Sequence, residues 1–353
     1  MQPNASLFIA FVATFASAVA AAQSPVDAQQ NSTIPSYTVP YSSYASPESR
    51  KVFELMLKYG REAPPFGKSF GDSRAYYDKI NTDRARRMQA LYPVDIATQA
   101  IGGVQTQVVT PKEGIAAGQK RRVLINLHGG AFLWGAGSGG LVEAIPLASV
   151  GRVKIVTVDY REGPEHVFPS GSEDVAAVFQ ALLKDYPAKN IGIYGCSAGG
   201  ILTGEAVAWL LSRKIPVPGA IGTFCGSVAE FGGDSRWVTP VLTGDAAPKA
   251  VLRFSDLPYF AGANADPKDP LVFPGYSPAM LARFPPTLLI SGTRDFAMSA
   301  IVQSERQLSS AGVETEMHIW DGMWHSFFSD PEMPESREAY AVMARFFDRH
   351  LGH

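Results

Sequence analysis

The sequence predicts an α/β protein built on a mostly parallel central sheet flanked by helices. Three observations carry this. From Gly103 onward, short apolar runs alternate with segments of helical periodicity, the pattern of strand–helix–strand units. Several of the runs are continuously apolar, as strands covered on both faces require. One run ends in Gly195-Cys196-Ser197-Ala198-Gly199 and is followed at once by a helix-like stretch, so a tight strand-to-helix turn presents a serine. The chain has 353 residues, 46% hydrophobic and 18% charged, which suits a large packed core and excludes a disordered chain.

The elements follow in order. Residues 1–22 hold an apolar run from Leu7 to about Ala22 that ends in small residues fitting an A-x-A cleavage pattern. They read as a secretory signal peptide, although no Lys or Arg precedes the run. The run is short for a membrane span, and no other stretch is long and apolar enough. The mature chain is therefore expected to have no span and to be secreted or periplasmic. Residues 23–47 form a Ser/Gln/Pro-rich tether. Residues 48–95 are an N-terminal cap segment with helical apolar spacing (Val52, Phe53, Leu55, Met56, Leu57, then Met88 and Leu91), broken near Pro64-Pro65, Gly67 and Gly71. Residues 96–353 form the α/β domain. Its expected strands are Val104–Val109, Val123–Leu127, Lys154–Val158, Ile191–Tyr194, Ala220–Phe224, Thr287–Ser291 and Glu314–Ile319. Ser172 is expected to start a helix carrying Val175, Val178, Phe179 and Leu182. Two more helices are expected, one around Ala300–Leu308 and one from about Pro334 to Leu351. Residues 230–285 interrupt this rhythm with aromatics among many Pro, Gly and Asp. They are expected to be a cap or lid insertion at the carboxyl edge of the sheet, where open α/β sheets bind ligands.

Charge narrows the function. The net charge is −2, with no basic stripe for nucleic acid and no polybasic segment for anionic lipid. The two cysteines, Cys196 and Cys225, make no disulfide framework, no Cys/His set has zinc spacing, and no HExxH occurs. No metal and no organic cofactor is expected.

The chemistry centres on Ser197. A strand, a Gly-x-Ser-x-Gly turn and a helix are the setting a nucleophilic serine elbow needs, although short matches of this kind are often accidental. A serine hydroxyl needs a base. Of the six histidines, His350 and His353 sit at the C-terminus, and His318 lies within a strand. His166 lies in a Pro-containing loop, and His128 precedes two glycines. His325 follows the last expected strand and can reach over the sheet edge. An imidazole base needs an orienting acid. Asp295 follows the strand Thr287–Ser291, and it is preferred to Asp321, which would have to fold back within four residues. His128-Gly129-Gly130-Ala131 follows another strand. The backbone N–H groups of Gly129 and Gly130, with that of Ala198, are expected to form an oxyanion hole. Phe132, Trp134, Phe296 and Tyr276 are candidate substrate-binding residues because ligand pockets are mostly apolar.

These motifs resemble the hormone-sensitive-lipase-like (microbial esterase/lipase) family of α/β-hydrolases. The stretches that carry the resemblance are "HGGAF" from His128, "DYREGPEHVFPSGSED" from Asp159, "GCSAGG" from Gly195, "SPAMLARFPPTLLISGTRDF" from Ser277 and "GMWHSFF" from Gly322. The resemblance implies the α/β-hydrolase fold with a helical cap made by the N-terminal segment and the insertion. It implies Ser197 as nucleophile, Asp295 as acid and His325 as base, with Asp159, Arg161, Glu165 and His166 ordering the loop beneath the site. It also implies hydrolysis of carboxylic esters of short to medium acyl chain. Members often form homodimers, although nothing in these residues signals one. The chain departs from the family at Ala131, where a third glycine is frequent, at Ile201, where Asn is frequent, and at Cys196, where Asp is common. The last change removes a charge beside the elbow.

The expected protein is thus a serine carboxylesterase acting on a small-molecule ester. Lactone hydrolysis, which uses the same machinery, is the alternative. A non-catalytic ligand-binding protein on this fold could dispense with the base, and this chain keeps His325. Cys196 and Cys225 end what are expected to be adjacent strands, about 5 Å apart. That is within reach of a disulfide, and two buried free thiols is the simpler reading.

Overall fold

Eight strands, β1 (Val94–Ile101), β2 (Val104–Pro111), β3 (Val123–Leu127), β4 (Lys154–Val158), β5 (Ile191–Cys196), β6 (Ala220–Phe224), β7 (Thr287–Arg294) and β8 (Thr315–Trp324), form one sheet in the order β1-β2-β4-β3-β5-β6-β7-β8. The computed structural model describes residues 30–34, 38–250 and 253–352, so the expected signal peptide lies outside the described residues. The chain divides into two units, Met1–Pro40 and Tyr41–His353, and the sheet belongs wholly to the second.

From β4 to β8 every neighbouring pair is parallel. β1 and β2 form an antiparallel hairpin, and β2 also runs antiparallel to β4. β1 escapes a reading of apolar runs because it is an edge strand, with most of its residues exposed or half-buried. Its turn is Gly102-Gly103, both at positive φ, the residue pair a tight hairpin favours. The boundary expected between residues 95 and 96 therefore falls inside β1.

The central strands explain the continuous apolar runs. Every residue of β3 is buried. Val123, Ile125 and Leu127 enter one core, while Leu124 enters the other, the period-two alternation of a strand between two layers. The first core is closed by helices α4 (Ser170–Leu182), α5 (Ala198–Ser212) and α7 (Met298–Ser310). The second is closed by α2 (Phe70–Leu91), α3 (Ser138–Gly151) and α8 (Pro334–His350). Ser172, expected to open α4, sits inside its first turn instead. The Pro64-Pro65 break separates α2 from α1 (Pro47–Glu62), where Ser46 caps the N-terminus by accepting the Ser49 N–H. Within residues 230–285 the longest helix is α6 (Ser235–Leu242).

Two carboxyl groups stand out, each the single charged residue of an apolar helix. Glu143 belongs to α3 and Glu205 to α5. Glu205 is fully buried, and neither carboxyl oxygen has a hydrogen-bond partner among the described residues. Burial pushes its pKa well above the usual carboxylate range, so the folded protein holds it protonated where the unfolded chain ionises. Native stability is therefore lost as pH rises above the unfolded carboxyl range. Removing an unpaired buried polar group of this kind is worth about 1–3 kcal/mol. Glu205→Leu is expected to raise Tm by several degrees at neutral pH, with the gain growing from pH 5 to pH 8. Thermal melts across that range check it, and a variant less stable at every pH would contradict it.

Candidate active site

β5 ends at Cys196, and the chain enters α5 through Ser197, whose φ of 58° and ψ of −120° form a sharp turn. A Cβ on Gly195 would lie 2.2 Å from the Leu127 carbonyl oxygen, and one on Gly199 would lie 1.7 Å from the same atom. Only glycine fits at either place: Gly195 pairs with Leu127 across β5 and β3, and Gly199, in the first turn of α5, packs against the same carbonyl. A strained non-glycine conformation costs on the order of 1–3 kcal/mol and persists only when its surroundings fix it. Here the Ser197 N–H donates to the Phe224 carbonyl at 2.8 Å, and the Ser197 carbonyl accepts the Ile201 N–H at 3.1 Å.

Three side chains meet in series at this edge. His325 Nε2 lies 2.8 Å from Ser197 Oγ, and His325 Nδ1 lies 2.7 Å from Asp295 Oδ1. The sheet register explains the meeting. Arg294 of β7 pairs with Trp324 of β8, so the next residue of each strand, Asp295 and His325, leaves the sheet beside the other. Both strands run several residues past their expected ends, Ser291 and Ile319, and this extension brings the two residues level. Asp295 is fully buried. Its Oδ1 also accepts the Ala297 N–H at 2.9 Å, and its Oδ2 accepts the Ser291 hydroxyl at 2.8 Å. A carboxylate only accepts, so the proton sits on Nδ1 and Nε2 is left to accept from Ser197. The Phe296 ring stacks on His325, with centroids 4.3 Å apart. Asp321 points elsewhere: it is exposed and accepts from Ser42 and Thr293.

To reach Ser197 the His325 loop crosses the end of β6, where Cys225 stands. Both cysteines are free and buried. The Cys225 sulfur accepts the Ser326 N–H at 3.2 Å, and the Cys196 sulfur lies 2.8 Å from the Ser326 hydroxyl. Burial pushes both thiols up in pKa. The pair forms a compact support under the histidine loop. Among the described residues, one group of donors is close enough to hold a metal ion: Cys225, Asp295 and His325, within 4.8 Å of one another. Two of these three already bond to each other.

The loop after β3 departs from expectation at one residue. The Gly129 N–H donates to Glu143 Oε1 at 3.0 Å, so it points away from the Ser197 oxygen and is not a free oxyanion donor. The next three residues, Gly130, Ala131 and Phe132, all have positive φ, which turns successive N–H groups to one side. No acceptor among the described residues takes the N–H of Gly130, Ala131 or Ala198. Ala198 opens α5, where the first N–H groups have no partner within the helix. The free donors are therefore Gly130, Ala131 and Ala198, with Ala131 in the place expected for Gly129. A Cβ on Gly130 would lie 1.7 Å from the Trp134 carbonyl oxygen, so this turn requires glycine.

Two cavities meet at the histidine. One, of about 370 Å³, is lined by Gly129, Gly130, Ala131, Trp134, Glu143 and Ser197 among others. The second, of about 430 Å³, runs between α1, α2 and α6 over Met56, Tyr59, Thr239 and Pro240. Tyr77, Arg84, Phe296 and His325 line both. Trp134 and Phe296 thus face the cleft, and Tyr77 stacks on Trp134 with centroids 4.7 Å apart. Phe132 and Tyr276 do not. Phe132 is fully buried in the core, stacked on Tyr259, because the positive-φ turn swings its side chain beneath the loop. Tyr276 lies on the surface, where its hydroxyl donates to Glu230.

A polar stripe on α2, Tyr77–Asn81–Arg84, was not expected at the cleft. Its spacing of four and three residues puts all three on one helix face. Arg84 is held by Asp330 at 3.0 Å, and Arg87 bonds the same carboxylate at 2.9 Å. Arg74 fastens α2 to the site. It donates to the carbonyls of Leu133 and Gly163 and forms an ion pair with Glu165. Asp159 accepts the Gly137 N–H at 2.7 Å, and Arg161 bonds Asp174, so both order loops beside the site. His128 is buried and stacked on Tyr160, while His166 is exposed.

A mostly parallel sheet carrying Ser197, His325 and Asp295 in series at its carboxyl edge, under a partly helical cover, has the architecture of an α/β-hydrolase. The chain belongs to that family: the family described as alpha/beta hydrolase fold matches residues 124–329. The structure is similar to that of an esterase, E25, with a TM-score of 0.77 and 29% identity, covering 91% of this chain and 99% of that one. It is similar in fold to an esterase from the bacterial hormone-sensitive lipase family, with a TM-score of 0.75 and 24% identity, covering 87% of this chain and 99% of that one. In sequence it is 27% identical over 264 residues to an acetyl-hydrolase of Streptomyces hygroscopicus, covering 72% of this chain and 82% of that protein.

Proposed function

We propose that this chain, an esterase-type hydrolase, cleaves carboxylic esters of short to medium acyl chain through an acyl-enzyme on Ser197. The observation that carries this is the unbroken hydrogen-bond series Asp295–His325–Ser197 beside three unpartnered backbone N–H groups. His325 Nε2 takes the Ser197 proton as Oγ attacks the ester carbonyl. The N–H groups of Gly130, Ala131 and Ala198 receive the oxyanion. Asp295 stabilises the imidazolium and keeps the ring in the right tautomer. The tetrahedral intermediate collapses, the C–O bond breaks, and His325 returns the proton to the departing alcohol. Water then attacks the acyl-enzyme with His325 again as base, releasing the acid.

The cleft supports the size range. Its two cavities are each of modest volume and share the wall at His325 and Phe296, so one side suits an acyl group and the other an alcohol. A panel of p-nitrophenyl esters of graded acyl length, run beside aliphatic lactones, tests this reading. The expected result is a kcat/KM maximum at short to medium acyl chains. A maximum at long chains, or lactones turned over faster than every ester, would contradict it.

A further inference from the structure

Glu143 is the single charged residue of α3, and it faces the floor of the cleft behind Ser197. Its Oε1 accepts the Gly129 N–H at 3.0 Å, and its Oε2 accepts the Asn126 side-chain amide at 2.9 Å. The backbone N–H of Cys196 adds a weaker interaction. One carboxyl group therefore touches the first residue of the donor loop and the residue before the nucleophile. Cys196 leaves the elbow without a charge of its own, and the carboxyl that stands there comes from another helix.

Resting on the serine-hydrolase reading above, we propose that Glu143 is the positioning residue of the oxyanion loop. By holding the Gly129 N–H it fixes the first peptide plane of that loop and orients the N–H groups of Gly130 and Ala131 toward the Ser197 oxygen. The loop needs such an anchor. Three successive positive-φ residues, two of them not glycine, hold only where the surroundings over-determine them. The Gly129 carbonyl is tied on its other side, 2.8 Å from His128 Nδ1. Without Glu143 the Gly129 N–H has no acceptor beneath it, and the plane is free to turn.

Glu143 keeps some accessible surface because it lines the cleft, yet protein surrounds it closely. Burial pushes its pKa up to about 8, against the pull of Asn126, Gly129 and Cys196. The titratable groups around it are Tyr160, Tyr194 and Cys196, each pushed upward by burial, with Tyr77 and His325 lining the same cavity. From α2, Asn81 and Arg84 line the same cavity, with Arg84 paired to Asp330. In either protonation state a Glu143 carboxyl oxygen remains to accept the Gly129 N–H.

Two variants test the proposal. Glu143→Ala is expected to lower kcat by about 10²-fold, the scale of one lost oxyanion donor, with KM changed less than about twofold. Glu143→Gln restores most of that loss. Its carbonyl can hold the Gly129 N–H, while the Asn126 Oδ1, buried and unpartnered among the described residues, can accept its amide after a flip. A folded alanine variant with wild-type kcat, or a loss confined to KM, would overturn the proposal. If the alanine variant does not fold, a folded Glu143→Leu variant with wild-type kcat would overturn it alone. Fluorophosphonate labelling separates the two readings. No labelling of the wild type at Ser197 defeats the serine-hydrolase reading. Wild-type labelling matched in rate by Glu143→Ala defeats the positioning role only.

Discussion

Ser197→Ala is expected to lower kcat on p-nitrophenyl acetate by about 10⁶-fold, the scale seen when the nucleophile of a serine relay is removed. The fold should survive. Alanine keeps the backbone that Ser197 adopts, and the bonds from its N–H to Phe224 and from its carbonyl to Ile201 involve no hydroxyl. The loss is chemical: no oxygen remains to accept the acyl group. His325→Ala should cost about as much, because a serine without its base is a weak nucleophile at neutral pH. The double variant should be no worse than either single one, since the residues act as one unit. Steady-state kinetics beside circular dichroism checks this. A folded Ser197→Ala retaining more than about 1% of wild-type turnover would contradict it.

Asp295→Ala is expected to cost about 10⁴-fold in kcat, less than loss of the nucleophile. It removes the negative charge beside the imidazolium and leaves His325 Nδ1, the Ala297 N–H and the Ser291 hydroxyl without their acceptor. Asp295→Asn should be milder. The Ala297 N–H requires an acceptor at the Oδ1 position, which favours the carbonyl of asparagine facing His325 and its amide facing Ser291. That orientation keeps the proton on Nδ1 and the right tautomer for catalysis, so only the charge is lost. Had the amide faced His325, the wrong tautomer would cost as much as the alanine change. Equal losses in the two variants would contradict this account of the carboxylate's surroundings.

Much of the architecture was legible because burial on two faces leaves a plain mark. Val123–Leu127, Lys154–Val158 and Ala220–Phe224 have the bounds expected from their apolar runs. β1 was not legible because an edge strand with exposed residues carries no such run. Ser197, Asp295 and His325 stand out from local patterns at strand ends, and sheet register brings their side chains together. Gly129 shows the limit of that approach. Two glycines in a row say that backbone comes close to something, but which N–H is free depends on Glu143, 14 residues away on another element. The sign of Glu143 was present in the sequence as one acidic residue in an apolar helix. Phe132 shows the reverse case: its position after the glycines suggested the pocket, and three positive-φ residues turn it into the core. Arg84 was hidden because a cap helix is read for its apolar face, and here its polar stripe lines the cleft.

The central claim is that Ser197 is a nucleophile activated by His325. Labelling with a small fluorophosphonate, followed by peptide mapping of the adduct, tests it most directly. The account predicts a single stoichiometric adduct on Ser197, formed rapidly in the wild type, absent in Ser197→Ala and slowed by orders of magnitude in His325→Ala. A wild-type protein that stays unlabelled, or an adduct at any other residue accompanying loss of esterase activity, would contradict it.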